Sequence, residues 1–216
     1  MTVRRVSAYK WVPPFAQGLV RDLRVRWALE EAGFAYEVDA IAHPDRLAPD
    51  YVAKQPFAQV PVYEEDDLVL FESGAIVLHL ARQSTMLMPS DPTEQAHVTM
   101  WIFAALNSIE PCISVLAELD LFHAEQNWAR EQRPLAEETV KARLQQLADA
   151  LADRDYLLKQ FSAADLMLVS VLRILRHTNI LAGFSTLTAY QNRVESRPAF
   201  KRALEAQMNT FAAYEP

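Results

Sequence analysis

The 216-residue chain has a single cysteine, Cys112, which excludes an intramolecular disulfide and any zinc cluster built on several thiolates. It is also short of positive charge: 21 Lys and Arg stand against 28 Asp and Glu, a net charge of -7 with His neutral. A surface of that sign repels phosphate backbones and excludes broad electrostatic binding of nucleic acid. No uninterrupted apolar run approaches the roughly 18 to 20 residues that cross a bilayer. The first residues lack the apolar stretch of a secretion signal, and Arg4-Arg5 is followed by Ser-Ala-Tyr-Lys-Trp-Val-Pro-Pro rather than by the apolar segment a twin-arginine signal needs. The expectation is a soluble, cytoplasmic protein with neither a nucleic-acid nor a membrane partner. The five histidines, His43, His79, His97, His123 and His177, show no HExxH or paired-ligand spacing, so no metal is expected.

What remains is an ordinary globular composition, 51% apolar and 23% charged, in a chain long enough for one large domain or two small ones. The first third alternates element types. Val6 to Trp11 reads as a strand, and Val20, Leu23, Trp27 and Ala28 follow at helical spacing to a stop at Gly33. Phe34 to Ile41 reads as a second strand, and His43-Pro44 through Pro49 as a turn-rich connection. Val60 to Tyr63 and Leu68 to Phe71 make a hairpin about the acidic turn Glu64-Glu65-Asp66-Asp67, with a helix from Ala75 to Ala81. The Pro- and Ser-containing stretch 83–93 is a linker between a domain at 1–82 and an all-helical domain at 94–216.

In that second part Val98 to Leu119 is a long apolar helix in which Pro111 is the candidate bend, and Val140, Leu144, Leu147 and Leu151 form an amphipathic stripe. The stretch Leu166 to Leu181 has little polar face and belongs at the domain centre. Its start carries a capping box: Ser162 accepts from the N–H of Asp165, Asp165 reaches back to Ser162, and Phe161 packs on Leu166.

Three features, in this order and spacing, give the chain a resemblance over nearly its whole length to the cytosolic glutathione transferase family, bacterial type. They are Trp27-Ala28-Leu29-Glu30-Glu31-Ala32-Gly33; Pro56-Phe57-Ala58-Gln59-Val60-Pro61-Val62 with Leu70-Phe71-Glu72-Ser73-Gly74-Ala75-Ile76; and Phe161-Ser162-Ala163-Ala164-Asp165. The resemblance implies an α/β thioredoxin-like N-terminal domain that binds glutathione as co-substrate, an all-α C-terminal domain, and a homodimer. It implies detoxifying transfer of the glutathione thiolate to a small hydrophobic electrophile. The sequence departs from the pattern at Gln55, where Asn is common, and at Ala58, where Gly is common.

The middle motif also has its own chemistry. Pro61 cannot donate to a ladder and on the residues alone fits an ordinary trans proline at a strand start; the resemblance implies instead a cis Val60–Pro61 bond, which turns the Val60 backbone outward, where an extended peptide can pair with it as an added strand. Glu72 and Ser73 lie at a helix start, whose free N–H groups and dipole favour a carboxylate. Ser73 can hold the γ-glutamyl carboxylate and Glu72 the α-ammonium, and the resemblance implies that Gln59 adds an amide contact beside the same peptide. The alternative is that Ser73 only caps the helix and Glu72 only complements its dipole.

A transferase must ionise a thiol whose free pKa is about 8.5. Related enzymes use Tyr, Ser or Cys near the first helix, but from Ala8 to Arg26 the only hydroxyl is Tyr9. The candidates are therefore Arg21, Tyr9, Gln17 and the backbone amides at the helix start, with Arg21 leading because a fixed cation lowers a neighbouring thiol's pKa. Cys112, inside an apolar helix, reads as a buried small hydrophobe rather than a nucleophile. An acceptor pocket is expected between the domains from Phe15, Met100, Trp101, Ala104 and Asn107, although plain helix packing explains the helical residues as well. The missing serine and cysteine keep open a non-catalytic glutathione-binding or interaction module of the same fold.

Overall fold

The computed structural model describes residues 2–215, which divide into two compact units. One runs to Met88 and is joined by the chain from Arg197 onward; the other is Pro89–Ser196. The sequence placed the last helix in the second domain. In the structure that helix belongs with the first, for a reason given below.

The first unit is built on a four-stranded mixed sheet, β1 (Arg4–Tyr9), β2 (Glu37–Ile41), β3 (Val62–Glu65) and β4 (Leu68–Phe71), in the order β2-β1-β3-β4. β1 runs parallel to β2, with Val6 opposite Val38, and antiparallel to β3, with Val6 opposite Tyr63. The parallel pair needs a crossover, and α1 (Asp22–Ala32) supplies it. Gly33 ends α1 in the left-handed conformation, φ 69°, as expected of a glycine C-cap. The hairpin closes on Asp66-Asp67 alone, because Glu64 and Glu65 extend β3, and β3 begins only after Pro61, which has no N–H to give the ladder. A short 3₁₀ helix at His43–Leu47 and α2 (Pro49–Val52) lead to β3, and α3 (Ser73–Ala81) follows β4.

Eight consecutive residues of α1, Asp22 to Leu29, are buried, which a one-sided amphipathic helix cannot achieve. α1 is covered on two sides, by α3 and by α9 (Pro198–Ala213). Trp27 meets the Phe200 ring at 4.7 Å between centroids, Arg197 bonds both carboxylate oxygens of Glu31 at 2.6 and 2.7 Å, and Arg202 bonds Glu30 at 2.7 Å. These contacts hold the last helix to the first unit.

The second unit is all-helical: α4 (Pro92–Ala104), α5 (Glu110–Phe122), α6 (Asn127–Leu151), α7 (Ala163–Leu172) and α8 (Ser185–Glu195). α4 and α5 form one run through a π-helical turn at Ala105–Ile109. Pro111 explains the turn, since its ring clashes with the carbonyl four residues earlier in a regular helix. By length and mean hydropathy, 1.5 over eighteen residues, this run is apolar enough to span a bilayer; here it is packed against α6 and α7. All ten residues of α7 are buried, as the sequence suggested, but the helix tightens to 3₁₀ at Arg173–His177 instead of continuing to Leu181.

The capping box at α7 is present with a shifted partner. Ser162 Oγ accepts from Ala164 N–H at 3.3 Å, while the Asp165 carboxylate accepts from Ser162 N–H and Oγ–H, Leu157 N–H and the Tyr190 hydroxyl at 2.8 to 3.2 Å. Asp165 is therefore the more important member. Ser162→Ala should cost about 1 kcal/mol. Asp165→Ala leaves several buried donors unpaired and should cost about 3 to 5 kcal/mol; urea denaturation of the two variants checks the order.

Candidate active site

The segment 55–62 carries the first half of the site. Gln55 is buried; its Oε1 accepts from Phe57 N–H at 2.7 Å and its carbonyl from Ala58 N–H at 3.0 Å, closing a tight turn. Ala58 sits at φ 53°, the left-handed region, which is the physical reason a glycine suits this position. The Val60–Pro61 bond is cis. Among the described residues, the backbone N–H and C=O of Val60 make no backbone hydrogen bond.

A hydroxyl relay fixes both sides of Val60-Pro61. Val62 N–H donates to Ser7 Oγ at 2.7 Å, Ser7 and Tyr51 hydroxyls are 2.8 Å apart, and the Tyr51 hydroxyl donates to the Gln59 carbonyl at 2.8 Å. A carbonyl can only accept, so the Tyr51 proton is committed there and Ser7 donates to Tyr51. Burial pushes the Tyr51 phenol up to about 12, so it stays a donor throughout the neutral range.

The second half is the β4–α3 turn. Glu72 is exposed and holds φ 70°, ψ 110°, a sparsely populated conformation that costs a non-glycine residue on the order of 1 to 3 kcal/mol. Ser73 is the first residue of α3, 4% exposed, and no side-chain hydrogen bond caps this helix. That removes the purely capping role from Ser73. Its Oγ instead accepts from Nη1 of Arg24, a guanidinium 4% exposed on α1, at 3.3 Å.

The loop before α1 gathers some of the candidate thiolate-stabilising residues and not others. Arg21 heads α1 with its side chain exposed, and Gln17 donates to the Val12 carbonyl at 3.1 Å within the same loop. Tyr9 is directed elsewhere. It shares a strand face with Ser7 and stacks on His43 at 5.3 Å, and burial pushes its phenol up with Arg46 pulling it back. The loop is pinned from α9: Gln207, fully buried, accepts from Gly18 N–H at 3.1 Å and donates to the Asp22 carboxylate at 2.7 Å and the Val20 carbonyl at 3.2 Å. Asp22 in turn holds Arg26 at 2.7 Å, both buried.

Phe15 belongs to this same loop and is 44% exposed. In the second unit Met100 is 53% exposed and Asn107 exposed, while Trp101 and Ala104 are half-buried. Cys112 is half-buried, donates to the Ile109 carbonyl at 3.2 Å, and burial pushes its thiol pKa up, which keeps it protonated and unreactive.

Family models for the glutathione S-transferase N-terminal domain and C-terminal domain match residues 16–82 and 114–207. "Glutathione S-transferase 4" of Zea mays is 31% identical over 217 residues, covering 95% of this chain and 94% of the relative. The chain belongs to the glutathione S-transferase family. Its fold is that of glutathione transferase F7 from Populus trichocarpa (TM-score 0.81, 24% identity, 95% of this chain and 99% of that one). It is equally that of a glutathione transferase from Pseudomonas putida (TM-score 0.80, 22% identity, 94% and 90%), whose structure holds one glutathione disulfide per subunit. The bacterial type read from the sequence is not supported, since sequence relatives that cover most of the chain are plant transferases.

Three residues of this transferase-family site escaped the sequence. The signal that could have found Gln207 is a polar residue between Ala203 and Phe211 at helical spacing; the structure buries all three. Arg24 sat unremarked among apolar neighbours of α1, and Tyr51 had no local signal because its partner Ser7 is 44 residues away. Gln207→Leu removes two bonds to the loop and one to Asp22 of α1; a loss of about 2 to 3 kcal/mol in urea denaturation is expected, with faster hydrogen exchange at the Gly18 amide.

Proposed function

We propose that this family member is an enzyme that binds glutathione on its first unit and transfers the thiolate to a small hydrophobic electrophile. The observation that carries the reading is the pair Val60 and Ser73: a strand-like backbone edge without a backbone partner, and a buried hydroxyl at a helix start that does no capping. Strand addition at Val60 suits the cysteinyl backbone of an extended tripeptide. The Ser73 hydroxyl and the first N–H groups of α3 suit the γ-glutamyl carboxylate, with the exposed Glu72 carboxylate facing its ammonium and Gln59 and Pro61 flanking the peptide.

The thiol is then directed toward the head of α1. Arg21 is the proposed stabilising cation, acting with backbone amides of the loop. Gln17 is engaged within that loop and Tyr9 lies on the His43 side of β1, which ranks both below Arg21. Phe15, on the same loop and offering exposed apolar surface, is the proposed contact for the electrophile on this unit. A cytoplasmic homodimer active in detoxification completes the proposal. The lack of a serine or cysteine near α1 favours one other reading, a glutathione-binding module without turnover.

Ultraviolet titration with glutathione near neutral pH separates these. The enzyme reading predicts a saturable thiolate absorbance that Ser73→Ala weakens through binding and that Arg21→Ala reduces about 10-fold or more with binding retained. Binding with no thiolate signal would establish the module instead, and absence of binding would overturn both.

A further inference from the structure

The Arg24–Ser73 contact bears on how the site distinguishes its ligand's charge. A serine hydroxyl has one proton to donate and two lone pairs to accept with, so its direction is set by what lies behind it. Had a carbonyl or carboxylate stood behind Ser73, its proton would be drawn inward and only lone pairs would face a ligand, repelling an anion. Arg24 stands there instead, and a guanidinium has donors only. Its Nη1 donates to Ser73 Oγ at 3.3 Å. Among the described residues no acceptor takes the Ser73 proton inward, and both side chains are 4% exposed.

We propose that Arg24 is a positioning residue for carboxylate recognition: it saturates the accepting side of the Ser73 hydroxyl, turns its proton toward the ligand, and places a buried positive charge one hydroxyl away from the bound anion. The ligand class is an anion at the γ-glutamyl end of the peptide, so the inference rests on the reading of Ser73 given above. Burial gives the charge its effect, since little water screens it. The chain's net charge of -7 sharpens the point: this acidic protein admits an anionic group where a cation lies buried under the first turn of α3. Glu72, at φ 70°, turns its own backbone out of α3 at that end. The effect belongs to binding, not to turnover.

The test compares glutathione with γ-aminobutyryl-cysteinyl-glycine, which lacks only the glutamyl α-carboxylate and keeps the ammonium, and with glutaryl-cysteinyl-glycine, which keeps the carboxylate and lacks the ammonium. Calorimetry is run on the wild type and on Arg24→Met, Arg24→Lys and Ser73→Ala, with folding checked by circular dichroism. Loss of a charge-assisted contact is expected to weaken both carboxylate-bearing peptides about 10- to 100-fold in Arg24→Met. The γ-aminobutyryl peptide should bind wild type and variant within about 3-fold, and kcat at saturating glutathione should be unchanged. Adding Ser73→Ala to Arg24→Met should cost much less than Ser73→Ala alone, because the two act through one hydroxyl.

Arg24→Lys keeps a charge and a donor and should lose less, which also serves if the methionine variant does not fold. Equal weakening of all three peptides in both Arg24 variants would make Arg24 merely structural and overturn the inference while leaving Ser73 in its role. Failure of the wild type to prefer the carboxylate-bearing peptides, together with an inert Ser73→Ala, would overturn the carboxylate reading itself and the inference with it.

Discussion

The relay from Val62 N–H through the Ser7 and Tyr51 hydroxyls to the Gln59 carbonyl is the constraint on which the candidate site depends. It joins β1, α2 and the loop before β3, three parts of the chain that sequence keeps far apart, at the place where the backbone must leave its neighbours to meet a ligand. The Val60 edge stays available because its flanking groups, the Gln59 carbonyl and the Val62 N–H, are bonded to side chains. The ordering of protons along the relay follows from the terminal carbonyl, and the raised Tyr51 pKa keeps that order through the neutral range.

A similar economy governs the rest of the first unit. Buried polar groups are expensive unless satisfied, and α1 carries three of them, Asp22, Arg24 and Arg26. Asp22 and Arg26 pair with each other and with Gln207 and Thr210 of α9, which explains why a helix from the end of the chain is part of the first unit. Arg24 points the other way, to Ser73 at the head of α3. The same helix thereby steadies both ends of the proposed peptide site, the loop that would face the thiol and the turn that would face the carboxylate.

Legibility from sequence followed the range of the interactions. Gly33, the proline before β3, the hairpin and the capping box of α7 are local devices, each contained in a few residues, and each was readable with errors of one to three residues at the boundaries. The strand β1 ends at Tyr9 and not Trp11, and β2 starts at Glu37 and not Phe34, because pairing, not apolarity, sets strand length. The motif Pro56 to Val62 and the pair Glu72-Ser73 were legible as chemistry. The partners that orient them were not: Tyr51 and Arg24 act across 44 and 49 residues, and Gln207, which pins the loop before α1, acts across 189. The placement of α9 was missed for the same reason, since its stripe fits any apolar face.

The central claim is that an extended tripeptide is held between the Val60 edge and Ser73. A crystal structure of the protein grown with glutathione tests it most directly. The account predicts the cysteinyl N–H and C=O paired antiparallel with Val60 and the γ-glutamyl carboxylate within hydrogen-bonding distance of the Ser73 hydroxyl. Glutathione bound at another surface, with the Val60 backbone and Ser73 left to solvent, would contradict it.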